Sequence, residues 1–302
     1  MYSWGADTRD WKNPKSYSFD SARKPYLDGL AALSKAKGGR VYETHAEADL
    51  HFVDPHAKTI QSQSQNVIIV AVDVTGSMAQ WPAAIFDRLP LFYQTLGQYR
   101  PDLEICFAAI GDAHCDAFPL QVNSFAKGLE LEACLQALGC EGGGGGQISE
   151  SYELFAYFMD QHCRLPRAID PFLIIYGDEK FYEKIDPRQI RHYIGDAIED
   201  PLKAETVWKN LLQKFNLFYL QKSYGDGDET VTAAVSRYWS KTLGPQRVIR
   251  LPSCERAVDV ALGMVAKQWG RFDDFKSNIS ARQDESQIRI VQQAIESVPP
   301  VA

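Results

Sequence analysis

Two unbroken apolar runs dominate the hydropathy pattern: Val-Ile-Ile-Val-Ala-Val at Val67–Val72 and Phe-Leu-Ile-Ile-Tyr at Phe172–Tyr176. Continuous runs of this length, rich in β-branched residues, predict strands buried on both faces. Leu103–Ile110 predicts a third such strand, ended by Gly111-Asp112, and Leu120–Phe125 a short one returning antiparallel at the sheet edge. Leu217–Leu220 and Arg247–Leu251 supply two more strands. Between them the apolar period changes to that of a helix. Ala84–Tyr99 carries a stripe at Ile85, Leu89, Phe92 and Leu96, with Pro90 expected to kink or break it. Gly128–Leu138, Ala204–Phe215, Val231–Leu243 and Cys254–Trp269 also predict helices; Gly244-Pro245 and Gly270 supply stop signals for the last two. Strand and helix alternate throughout, so the expected fold class is α/β: a doubly wound, mostly parallel sheet with helices on both faces.

The first run ends in Asp73-Val74-Thr75-Gly76-Ser77, which puts one carboxylate and two hydroxyls at the carboxyl end of a central strand. Ligands bind at that edge in open α/β sheets, and all three groups are hard oxygen donors of the kind Mg²⁺ prefers. The second run ends in Asp178, followed by Glu179. A glycine-rich stretch, Gly139–Glu153, lies between them and leads into the apolar helix Leu154–Met159. Taken singly, each piece has a plain structural reading, as a helix cap, a turn or a flexible loop. Their order and shared polarity favour a common site.

These segments resemble the von Willebrand factor A (vWA) domain, and the pattern can be laid on residues Gln65 to Gly270. Asp73, Thr75 and Ser77 match the Asp-x-Ser/Thr-x-Ser opening of that family's metal-ion-dependent adhesion site, and Asp178 matches its third-loop aspartate. The resemblance implies a Rossmann-like fold and a divalent ion, Mg²⁺ with Mn²⁺ or Ca²⁺ as alternatives. In that arrangement Thr75, Ser77 and a second-loop oxygen hold the ion, with Asp73 and Asp178 behind water. The second loop departs from the family: Gln147 stands where Thr is usual, which makes Ser151 the expected donor, with Ser149 and Glu150 as weaker candidates. Glu179 replaces the usual Gly and is expected to add negative charge at the rim.

Length and composition add boundaries. The 302 residues, 45% hydrophobic and 24% charged, suit one large soluble domain with extensions. The expected organisation is an extension at 1–64, a vWA domain at 65–270 with a helical insertion at 183–215, and a helical tail at 271–302. Within the extension, Tyr26–Ala36 predicts a helix, Arg40–Thr44 a short strand and Ile60–Asn66 a linker. The aromatics Tyr2, Trp4, Trp11, Tyr17, Phe19 and Tyr26 are too many for a solvated tail. The insertion is expected to hold two or three helices, and the tail one amphipathic helix with Ile288, Ile290, Val291 and Ile295. No run approaches the roughly 20 apolar residues that cross a bilayer, and Met1–Pro14 lacks a secretory signal's apolar core. The net charge of −7 argues against general attraction to nucleic acid or an anionic membrane. Six cysteines without a Cys-x-x-Cys pair predict reduced thiols and a cytoplasmic location. His114-Cys115-Asp116 lacks the second pair of ligands that a zinc site needs.

The expected function is a metal-dependent protein-interaction module, an adaptor or scaffold that binds a partner's Asp or Glu carboxylate through the ion. The family resemblance suggests an intracellular bacterial protein working beside a MoxR-type AAA+ ATPase; no membrane partner is expected, and the acidic balance disfavours nucleic acid. The alternative is a Mg²⁺-dependent phosphoryl-transfer hydrolase. Against it, Thr75 stands where haloacid-dehalogenase sites place a second Asp, and neither a P-loop nor a Gly-x-Ser-x-Gly elbow is present.

Overall fold

Strand β1 (Val67–Asp73) is buried along its whole length and lies at the centre of a six-stranded sheet. The other strands are β2 (Glu104–Ile110), β3 (Leu120–Val122), β4 (Phe172–Gly177), β5 (Asn216–Gln221) and β6 (Val248–Arg250). Their order in the sheet is β6-β5-β4-β1-β2-β3, and every pair is parallel except the β2–β3 edge pair. The chain therefore leaves β1 in one direction, through β2 and β3, and then returns to its other side at β4. This reversal creates a topological switch point between β1 and β4, where ligands collect in folds of this class. This α/β architecture, a doubly wound and mostly parallel sheet, agrees with expectation.

This computed structural model describes residues 48–78, 80–140, 148–225, 227–281 and 283–299. The expected Tyr26–Ala36 helix, the Arg40–Thr44 strand, the amino-terminal aromatics, the Gly142–Gly146 run and Gln147 lie outside the described residues. The described residues fall into two compact units. One runs from residue 48 to Pro82 and from Arg100 to Arg250; the other comprises Ala83–Tyr99 and the chain from Leu251.

In the sheet-bearing unit, Ile69, Ala71, Cys106, Ala108, Leu173, Ile175, Leu217 and Tyr219 share one hydrophobic core with helices Tyr152–His162, Ala204–Lys214 and Glu229–Leu243. The alternate strand residues, among them Ile68, Val70, Phe107 and Ile174, are buried as well, so the continuous apolar runs correspond to strands with two dry faces. The segment between β4 and β5 is part crossover and part excursion. Lys184–Ile185 pairs antiparallel with Leu202–Lys203 around a short helical turn, and Ala204–Lys214 then returns to the core. The stretch expected to be a plain linker instead begins with a two-residue strand, Ile60–Gln61, paired parallel to Cys163–Arg164.

The second unit is helical, with Ala257–Gln268, Phe272–Ser280 and Glu285–Ala294 packed together. The tail thus holds two helices where one was expected. A Cβ on Gly263 would overlap Phe275 and Ile295, so this glycine sets how closely those helices approach. The Trp81–Tyr99 helix runs unbroken through Pro90. Ile85, Phe86, Leu89, Leu91, Phe92 and Leu96 are all buried around it, and that packing offsets the roughly 3 kcal/mol cost of an internal proline.

Candidate metal centre at the switch point

The carboxyl ends of β1 and β4 bring the first and third loops together. Asp73, the last residue of β1, is fully buried. Its Oδ1 accepts from the Thr75 backbone N–H at 2.9 Å and from the Thr75 hydroxyl at 2.6 Å. Thr75 Oγ1 lies 3.4 Å from Ser77 Oγ, and Ser77 donates to Asp178 Oδ1 at 2.8 Å. Four of the residues expected from the sequence thus lie together as two hydrogen-bonded pairs, Thr75 on Asp73 and Ser77 on Asp178, with the two hydroxyl oxygens 3.4 Å apart. A short 3-10 turn, Gly76–Met78, follows Thr75 and carries Ser77.

The second loop is placed differently. Ser151 accepts from the Ala113 backbone N–H at 2.9 Å and donates to Asp112 Oδ1 at 3.3 Å, so its hydroxyl is engaged by the loop after β2. Ser149 and Glu150 form a two-residue strand parallel to Lys180–Phe181. Glu150 is buried, lies close to Glu179, and carries an Oε2 without a hydrogen-bond partner. Glu179 is buried too, where a rim position was expected; it also has an unpartnered Oε2 and lies within hydrogen-bonding reach of Ser77.

Buried carboxylates gathered this closely resist ionising. Burial first, and then the charge of Asp178, pushes Asp73 up to about 7. Burial and the charges of Asp73 and Asp178 push Glu179 up to about 8. Burial, with Asp73 and Glu179 next, pushes Glu150 well above the carboxylate range.

Four contributors were not anticipated: Tyr152, Tyr219, Trp239 and Lys222. Tyr152 donates its hydroxyl to Asp73 Oδ2, and burial beside that carboxylate holds the phenol well above its ordinary value. Gly177 makes this contact possible, because a Cβ there would collide with the Tyr152 hydroxyl. Tyr219 Oη and Trp239 Nε1 both donate to the Glu179 carbonyl, at 3.0 and 2.8 Å, and brace the third loop from below. Lys222 is the last: its buried ammonium lies 2.8 Å from Asp178 Oδ2 and 2.9 Å from the Ser223 carbonyl. The only sequence signal for Lys222 is its position directly after a strand, at the same sheet edge as Asp73 and Asp178.

The donor set suits a hard divalent cation. It offers carboxylate and hydroxyl oxygens only, and two buried glutamate oxygens lack partners. Among the described residues, no three His, Cys, Asp or Glu side chains form a metal cage. A cation here would draw on the hydroxyls of Thr75 and Ser77 as well as on carboxylates. The six cysteines are free, and none contributes to this cluster. No described helix is long and apolar enough to cross a membrane.

No protein-family model matches the sequence, and no curated protein matches it. Among solved structures, the pilus adhesin SpaC from Lactobacillus rhamnosus GG, in its open conformation, is similar at 10% identity and a TM-score of 0.47. That match covers 74% of this chain and 31% of the adhesin. Proximal thread matrix protein 1 of the mussel byssus, in a structure with a zinc-occupied MIDAS motif, is similar at 12% identity and a TM-score of 0.44. Here the match covers 70% of this chain and 49% of the mussel protein. This chain therefore spans about a third of the adhesin and about half of the mussel protein.

Proposed function

We propose that this chain is a metal-dependent protein-interaction module. The observation that carries the reading is the meeting of two hydrogen-bonded pairs, Thr75 on Asp73 and Ser77 on Asp178, across the switch point, set among buried carboxylates. Thr75 and Ser77 would hold a divalent cation, Mg²⁺ before Mn²⁺ or Ca²⁺, with Asp73 and Asp178 as the supporting carboxylates. Of the second-loop residues, Glu150 has the buried unpartnered oxygen, whereas Ser151 is engaged by Ala113 and Asp112. The bound ion would supply an electrophilic centre for a carboxylate of a partner protein. Hydroxyl-rich ligation supports this role, because few direct carboxylates leave the ion electron-poor. The resemblance suggests a cytoplasmic setting and a MoxR-type AAA+ ATPase as the partner class.

The first test is thermal unfolding of the EDTA-stripped chain with Mg²⁺ or Mn²⁺ added. A cation bound only by the folded state stabilises it by about 2.7 kcal/mol at a hundredfold excess over Kd. The Tm should rise with the ion, and Asp73→Ala should abolish the rise. No shift at millimolar ion in wild type would overturn the metal reading. Partner capture should be lost in EDTA and in Thr75→Ala. Metal-dependent turnover of a phosphate ester would favour the hydrolase instead.

A further inference from the structure

The cluster at the switch point already contains one cation. In the parallel register between β4 and β5, Gln221 lies opposite Gly177, and the Lys222 backbone N–H donates to the Gly177 carbonyl at 2.9 Å. The next residues on the two strands are therefore neighbours, so the backbone register itself delivers an ammonium to Asp178. Both oxygens of this carboxylate are in use: Oδ1 accepts from Ser77 and Oδ2 accepts from Lys222. The pair is almost dry, with the Lys222 side chain 6% and that of Asp178 0% exposed.

We propose that Lys222 is the resident cation of this site, and that its ammonium must release Asp178 Oδ2 before that carboxylate can support a divalent ion held by Thr75 and Ser77. The argument concerns this chain's own residues and depends on the divalent-ion reading above. Two cations sharing one buried carboxylate repel strongly, because water is not there to screen them. The long, flexible lysine stem allows the ammonium to leave without moving the strand, which a rigid guanidinium fork would allow less readily. The Ser223 carbonyl is a partner for that ammonium beside Asp178. The site is then metal-responsive: it keeps its charge balance without an ion and binds one only when the ion's concentration outweighs the internal competitor.

The test is calorimetric titration of Mn²⁺ into the full chain, comparing wild type with Lys222→Met and with Lys180→Met as a charge control. Lys222→Met should bind Mn²⁺ at least about tenfold more tightly than wild type, while Lys180→Met changes affinity by less than about threefold. An equal rise in both variants overturns displacement in favour of a general charge effect. Wild type and Lys222→Met binding alike overturns the proposal and leaves the metal reading standing; no binding by either overturns both. If Lys222→Met does not fold, lysine-acylation footprinting of wild type decides the matter. Labelling at Lys222 should rise with Mn²⁺ while that at Lys180 stays level, and a Lys222 that remains protected in the Mn²⁺-bound chain overturns the proposal.

Discussion

Each unit buries charge, and the two do so in opposite ways. In the helical unit one carboxylate, Asp259, accepts from two guanidinium groups, Arg88 at 3.0 Å and Arg256 at 3.1 Å, and from the Gln283 amide at 2.8 Å. In the sheet-bearing unit four buried carboxyl groups, Asp73, Glu150, Asp178 and Glu179, face one ammonium, Lys222. The first arrangement ties one carboxylate to two guanidinium groups and acts as a strut. Among the described residues the second has more carboxyl groups than cations, and its carboxyl groups are pushed toward the protonated form. A buried cluster that lacks counter-charge is expensive as structure, and such local conflicts are expected where a ligand is to be bound.

The contrast is most open to attack at Asp259. Asp259→Ala leaves two buried guanidinium groups without their carboxylate and should cost about 3–5 kcal/mol in urea unfolding. A loss below about 1 kcal/mol would mean that the helical unit does not depend on this strut. Next in size is Tyr152→Phe, which removes a hydroxyl from a buried carboxylate and should cost about 1.5–3 kcal/mol. Its Tm rise with Mg²⁺ should nevertheless persist, because Tyr152 positions Asp73 without being placed to hold the ion.

Proton uptake gives a third measurement. Asp73 and Glu179 are pushed up to about 7 and 8, so between about pH 4 and pH 8 the folded, ion-free chain binds more protons than the unfolded chain. Stability should therefore fall as pH rises through that window, by up to about 1.4 kcal/mol per pH unit for each proton held. Millimolar Mg²⁺ should flatten the slope. A slope that is flat without metal would contradict the shortage of counter-charge. The smallest effect is expected from Glu150→Gln, which should stabilise the ion-free chain by about 1 kcal/mol at pH 7 and by nothing near pH 4. The same change at Asp259, to Asn, should destabilise.

Much of the fold was legible because strand runs buried on both faces leave a plain record. Val67–Val72 and Phe172–Tyr176 reveal the central pair, and the polar residues after them mark the shared edge. Asp73, Thr75, Ser77 and Asp178 were legible for the same reason, since each lies within a few residues of a strand end. Pro90 misleads because the rule against internal proline is local, whereas the packing that carries the helix through it comes from residues spread along the stripe. The partners of Ser151, Ala113 and Asp112, lie in the loop after β2, a contact between distant segments that no motif records. Lys222 and Tyr152 matter through strand register and through the missing side chain at Gly177, and neither is visible in a motif.

The brace beneath the third loop also has an optical consequence. Trp239 donates its indole N–H to the Glu179 carbonyl, stacks on Tyr219 with ring centroids 4.2 Å apart, and meets Trp208 edge-on at 5.1 Å. A chromophore hydrogen-bonded one residue away from Asp178 reports on the backbone there through the wavelength and yield of its emission. The chain thus carries its own fluorophore for the switch point, buried away from solvent quenchers, and Trp208 lies close enough to exchange excitation with it. The difference in stopped-flow emission between wild type and Trp239→Phe would follow events at this edge without any label, set apart from the other five tryptophans.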